Sequence, residues 1–198
     1  MNPIGSNEIN PTPSPALELA DANQITQQLW VGGELDPTNR QRAMAQLDEL
    51  MDRGIRSIID CRMESNDIDW VTQAKAQIDY LSVGVEDAGY LMPDEWFDDG
   101  VTYALDQIGD NCVVLAHCQM GINRGPSMGF AILLAQGWDP IAALELIKSR
   151  RPIVRIAYAE DAIRWWLTKQ GKDESEVLTQ LRRARKWRST SGVRRTIE

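Results

Sequence analysis

The stretch from Val113 to Ser127, VVLAHCQMGINRGPS, most narrows the folds open to this chain. It opens on an apolar run without alternation, the pattern of a strand covered on both faces, and such strands belong to the interior of parallel sheets. Gly121 and Gly125 then punctuate a turn, and Pro126 stands where the first turn of a helix tolerates it. The apolar residues Met128 to Leu134 continue to a stop at Gly137. Strand, short loop and helix are therefore predicted in that order, with the strand at the centre of a sheet.

The rest of the chain fits around it. ITQQLWVGG predicts a strand ending at Gly32 and Gly33, and Met44, Leu47, Leu50 and Met51 recur at helical spacing up to Gly54. IRSIIDC and IDYLSVGV are short β-branched runs. Trp96, Phe97, Val101, Leu105 and Ile108 mark a helix, and others are expected from Asp139-Pro140 to about Lys148, from about Ala157 to Gln170, and from Asp173 toward Trp187. Strands interleaved with helices, then helices alone, imply one α/β domain: a mostly parallel mixed sheet of about four or five strands flanked by helices. Residues 1–22, rich in Pro, Asn and Ser, read as a disordered arm; 23–171 as the domain; 172–198 as a C-terminal helix and basic tail.

Composition bounds the function. With 198 residues the chain suits one domain, and no apolar stretch reaches the roughly 18 to 20 residues of a membrane span. Three scattered cysteines and no leader pattern predict a reduced, cytoplasmic protein, outside membranes. A net charge of -8 disfavours nucleic acid as a partner, although Arg182, Arg183, Arg185, Lys186, Arg188, Arg194 and Arg195 form a basic run, read as a solvated helix face.

The chemistry is carried by the loop after the central strand. A strand-to-helix turn aims backbone N–H groups and a helix N-terminus at one point, which makes an oxyanion cradle from residues Gln119, Met120, Gly121, Ile122, Asn123 and Arg124. Gly121 permits a close approach, and Arg124 offers a planar fork to two oxygens of a phosphate. The same positive field favours a sulfur anion at Cys118. The chain has a single histidine, His117, and neighbours on a strand point to opposite faces, so it cannot serve as the base of a thiol protease. It is expected to support the loop from behind. One histidine and three scattered cysteines give no zinc spacing, so no metal and no cofactor is expected.

HCQMGINRGPS resembles the His-Cys-x-x-Gly-x-x-Arg signature of the cysteine-dependent dual-specificity protein phosphatases, in the protein-tyrosine-phosphatase-like superfamily. The likeness extends over about residues 25–170, with SRRPIV similar to the family's Arg-Pro turn. The family's strand pattern before its acid is met by YLSVGVED, which puts Asp87 at the acid position, 31 residues before Cys118. The resemblance implies a phosphocysteine mechanism: Cys118 attacks phosphorus, Arg124 and the loop amides bind its oxygens, and Asp87 donates to the leaving oxygen. Asp94 stands next in order for the acid. The substrate implied is a phosphorylated protein, most readily at tyrosine, with phosphoserine and phosphothreonine also open.

Two positions depart from or extend the likeness. The family places Ser or Thr after the signature arginine, where a hydroxyl can hydrogen-bond the sulfur; here Gly125 stands there, and Ser127 reads as a helix residue. Cys61, at a strand end in SIIDCR, resembles a position that relatives such as the phosphatase and tensin homologue use to trap the nucleophile as a disulfide; burial as a small apolar residue is the competing reading. Two other functions stay open. The GINR sequence is similar to RNA 5'-triphosphatases of the capping-enzyme type, and Gly125 alone argues for a phosphate-binding pseudophosphatase.

Overall fold

The computed structural model describes residues 16–73 and 78–192. Strands β1 (Ala22–Gln24) and β2 (Leu29–Gly32) are followed by α1 (Arg40–Asp52), β3 (Ile55–Arg62), α2 (Ile68–Gln73), β4 (Asp79–Val85), α3 (Asp94–Gly109) and β5 (Val113–His117). Helices α4 (Arg124–Ala135), α5 (Pro140–Arg150), α6 (Ala159–Lys169) and α7 (Glu174–Thr190) complete the order. The five strands form one mixed sheet in the order β1-β2-β5-β3-β4, parallel throughout except for β1 at its edge.

The unalternating run at β5 has the predicted cause. Val114 and Ala116 face a core built with α3 to α7, around Phe97, Phe130 and Trp165, while Leu115 faces a second core with Trp30, Leu47 and Leu50 beneath α1. Helix α4 is buried from Arg124 to Leu134 because it lies against the sheet, α3, α5 and α6 at once. Asp139 accepts from the N–H groups of Ile141 and Ala142 and Pro140 follows it, so α5 begins where its sequence said.

Three expectations need correction. Only Leu29–Gly32 of ITQQLWVGG is strand: Thr26 Oγ1 accepts from the N–H groups of Gln28 and Leu29, and the preceding residues form the turn that joins β2 to the antiparallel β1. The expected arm through residue 22 ends sooner: the N–H groups of Glu18, Leu19 and Ala20 donate to the Glu49 carboxylate, and Ala22 is buried in β1. Residues 1–15 lie outside the described residues. The boundary at 171 also dissolves, since Leu181, Ala184 and Trp187 of α7 enter the same core as α4 and α6. Its basic face is partly engaged, with Arg183 on Asp139 and Arg185 on Glu160; Arg194 and Arg195 lie outside the described residues. Among the described residues no helix is long and apolar enough to cross a membrane.

Candidate active site

The carboxyl ends of the parallel strands meet at one edge, where Gly32 pairs with His117, His117 with Asp60, and Arg62 with Val85. Parallel sheets bind their ligands at this edge. Alternation sorts the side chains there: Ile59, Cys61, Ala116 and Cys118 join the core on the α4 side, and Ile58 and Leu115 the core beneath α1. His117 takes the second face, its Nε2 standing 3.6 Å from Asp60 Oδ2 and 3.9 Å from Asp67 Oδ2. Burial lowers the imidazole's pKa against the pull of Asp60 and Asp67, so the ring is neutral near pH 7.

The loop after β5 turns its carbonyls away from its own centre. Gln119 O accepts from Glu34 N at 3.0 Å, Met120 O and Gly121 O from the Arg151 guanidinium at 3.0 and 2.6 Å, Ile122 O from Arg155 N at 2.8 Å, and Asn123 O from Ser127 N at 2.8 Å. Among the described residues the N–H groups of residues 119–124 find no protein acceptor. Carbonyls anchored outward and amides left inward make a nest for an anion, at the N-terminus of α4. Gly121 is indispensable to the shape: its φ is +60°, and a Cβ there would run into the backbone of Gly32. Arg151, only 2 % exposed, is tied in turn to Asp21 at 2.8 and 2.7 Å and to Asn23 at 2.8 Å. The Arg-Pro turn thus holds the loop by its carbonyls, a role the sequence did not reveal.

Cys118 and Arg124 lie at the floor, 3 % and 4 % exposed. The Arg124 guanidinium is held by its far edge: NH1 donates to Glu64 Oε2 at 2.7 Å and to Val85 O at 3.0 Å, and NH2 to Glu64 Oε1 at 2.6 Å. Burial works against its charge, but the Glu64 hydrogen bonds outweigh burial and tighten its hold on the proton. Those same bonds pull the Glu64 carboxyl down to about 2. The Nε edge has no hydrogen-bond partner among the described residues; the nearest carboxylate there is Asp87 Oδ2, at 3.5 Å. Glu64 went unnoticed in the sequence, where an acid in a polar loop has no distinguishing pattern.

Asp87 follows β4 and lies over this floor. Its Oδ1 accepts from Asn123 Nδ2 and from the Tyr158 hydroxyl, both at 2.6 Å. Asp94, the other acid considered, opens α3, where a carboxylate complements the helix dipole. The Asn123 side chain is therefore turned to Asp87 rather than into the cradle, and its Oδ1 accepts from Ala157 N at 2.6 Å. Tyr158 is buried, and burial first, then its bond to Asp87, pushes its pKa up, so it remains a donor.

The remaining residues have structural surroundings of their own. A Cβ at Gly125 would stand 2.8 Å from the Cα and C of His117, so the close approach of α4 to β5 leaves no room for a serine there. Ser127 is fully buried within α4, and its hydroxyl has no hydrogen-bond partner among the described residues. Cys61 shares the face of Cys118; burial, then the nearby Cys118 sulfur, raises its pKa and keeps it a thiol. Asp60, Asp67 and His117 cluster as a metal site would, but Arg62 NH2 already pairs with both carboxylates, 2.6 Å from Asp60 and 2.7 Å from Asp67. An internal guanidinium thus balances the two buried carboxylates.

Comparison with known proteins bears on the family and the fold. A family model described as the dual specificity phosphatase catalytic domain matches residues 39–161. Protein phosphatase Slingshot of Drosophila melanogaster is 26% identical over 133 residues, 67% of this chain and 12% of that protein. Slingshot homolog 3 of Mus musculus is 27% identical over 175 residues, 87% of this chain and 24% of that protein. The chain thus spans a quarter or less of the length of these relatives. Among solved structures, human DUSP28 superimposes with a TM-score of 0.62 at 15% identity, covering 75% of this chain and 97% of that one. DUSP15 gives 0.60 at 19% identity, covering 84% and 96%, and PTPMT1, solved in complex with PI(5)P, gives 0.59 at 19%, covering 80% and 97%. These likenesses bear on the fold; the family model, matched over more than half the chain, settles membership. The chain belongs to the dual specificity phosphatase catalytic-domain family.

Proposed function

We propose that this chain hydrolyses phosphate monoesters, phosphotyrosine in proteins foremost, through a phosphocysteine intermediate. The observation that carries this reading is the nest itself: five consecutive carbonyls are anchored outward around Cys118 and the Nε edge of Arg124, which makes no hydrogen bond among the described residues and has only Asp87 Oδ2 beside it, at 3.5 Å. In the first step the Cys118 sulfur bonds to phosphorus while the bond to the leaving oxygen breaks, and Asp87 gives that oxygen its proton. In the second, Asp87 as carboxylate takes a proton from water, the water oxygen bonds to phosphorus, the sulfur leaves, and inorganic phosphate departs. Arg124 and the amides neutralise the equatorial oxygens in both, which is the charge stabilisation that other phosphoryl-transfer sites draw from a metal ion.

A protein substrate is favoured by the rim. Met63, Tyr90, Leu91, Met120 and Ile153 are exposed on the segments that surround the nest, and none of residues 119–123 is cationic. Apolar contacts suit a phosphotyrosyl segment better than a polyphosphorylated head group. Asp87 over the floor favours the monoesterase over a triphosphatase, for which the resemblance implies no such acid.

The deciding experiment is turnover of an aryl phosphate in the presence of a chelator, with Cys118→Ser and Asp87→Asn alongside. Activity is expected to persist in chelator, to vanish in Cys118→Ser, and to fall on the order of 10²-fold or more in Asp87→Asn. Turnover retained by Cys118→Ser would refute the covalent mechanism.

A further inference from the structure

We infer that Tyr158 and Asn123 are positioning residues that hold Asp87 by its Oδ1 and so leave Oδ2 to carry the proton to the leaving group. This rests on Asp87 acting as the general acid. The acid sits on the segment between β4 and α3, where no ladder fixes it, yet a general acid works only within hydrogen-bond reach of the leaving oxygen. Its fixing comes from elsewhere. Asn123 Nδ2 and the Tyr158 hydroxyl each meet Oδ1 at 2.6 Å, and two donors fill that oxygen's lone pairs. Oδ2 remains, facing Arg124 Nε at 3.5 Å across the mouth of the nest.

Each holder is itself held, so the orientation is determined rather than chosen. Asn123 Oδ1 accepts from Ala157 N at 2.6 Å, and since only the oxygen can accept, Nδ2 must face Asp87. The Tyr158 hydroxyl accepts from Gly89 N at 3.2 Å, so its single proton goes to Asp87. The segment that carries Ala157 and Tyr158 is fastened to the nest by Arg155 N donating to Ile122 O, and it passes through Ile156 at φ +49°, a conformation that a β-branched residue adopts only under constraint. Nest, acid and the α5–α6 connection therefore meet at one carboxylate oxygen. Asp87 ionised accepts both donors, which serves the second step, in which it must take a proton from water in the same place.

The need for an acid grows as the leaving group becomes more basic, and this separates positioning from packing. Tyr158→Phe keeps the buried ring and removes only the hydroxyl; Asn123→Ala removes the other donor and is read in the same way. For each, kcat/KM is measured on a series of aryl phosphates from 4-nitrophenyl to phenyl phosphate, with inhibition by inorganic phosphate as the measure of the nest and thermal melting as the measure of the fold. The expected result is a steeper decline of log kcat/KM with leaving-group pKa than in the parent. The loss on phenyl phosphate should be about tenfold or more, short of the roughly 10²-fold or greater loss expected when the acid itself is removed, because Asp87 remains. An equal loss across the series, or none, would overturn the inference. Asp87→Asn run beside them separates the failures: a flat profile in Asp87→Asn removes the general acid itself, whereas a steep profile there with flat profiles in both other variants removes only the holders.

Discussion

Glu64 and Arg124 meet fork to fork, and the pair decides which edge of the guanidinium a phosphate can use. With NH1 and NH2 engaged by the carboxylate, the Nε side faces the nest. Glu64→Gln keeps the shape but leaves a single acceptor oxygen, so one of the two bonds is lost and the other loses its charge; kcat/KM is expected to fall about tenfold, equivalent to ~1.4 kcal/mol, with inhibition by inorganic phosphate weakened in parallel, and an unaltered phosphate affinity would dissociate Glu64 from the site. His117 gives a second prediction. Its pKa in the fold lies below its ordinary 6.5, so the unfolded chain binds more protons as pH falls past about 6.5, and stability drops in that window. With one histidine in the chain, the melting temperature should decline between pH 7 and pH 5, and His117→Asn should flatten that slope. That Cys118, Arg124 and Asp87 would come to one edge of the sheet was legible because their types and spacing sit on one strand-turn-helix and on the segment after one neighbouring strand. Glu64, Tyr158 and Arg151 could not be read in advance, since each meets its partner across 30 or more residues and carries no local pattern.

Helix α4 and strand β5 approach so closely at Gly125 and His117 that a side chain cannot enter between them. The absence of a hydroxyl after the signature arginine is thus a property of packing as well as of sequence. Gly125→Ser is expected to destabilise the fold by ~1–3 kcal/mol, as overpacking does, read as a lower urea midpoint with an unchanged m-value. A midpoint equal to that of the parent would mean that the helix shifts freely. Elements with period or cap signals, α1, α3, α5 and β3 to β5, fell where the sequence put them. The β1–β2 hairpin did not, because the Thr26 turn that makes it lies in a stretch of Gln and Thr with no Gly or Pro to announce it. Helix α2, only six residues long, is too short to show a period and carried no signal either.

On the scale of the whole molecule, the family match ends at residue 161 while the core continues into α7, where Leu181, Ala184 and Trp187 pack with α4 and α6. Trp187→Ala should cost about 3 kcal/mol, measured by denaturant unfolding, as for other large-to-small changes in a core; a cost near zero would restore the boundary drawn at 171 from sequence. The N-terminal side is bound in as firmly, since Asp21 and Asn23 reach Arg151 and, through it, the carbonyls of Met120 and Gly121. The turn that grips the anion is lashed to Glu34, Arg151 and Arg155, points scattered along more than a hundred positions of chain. A peptide bearing only the letters from Cys118 to Arg124, or the same letters grafted onto a foreign scaffold, would inherit the spelling and lose the shape.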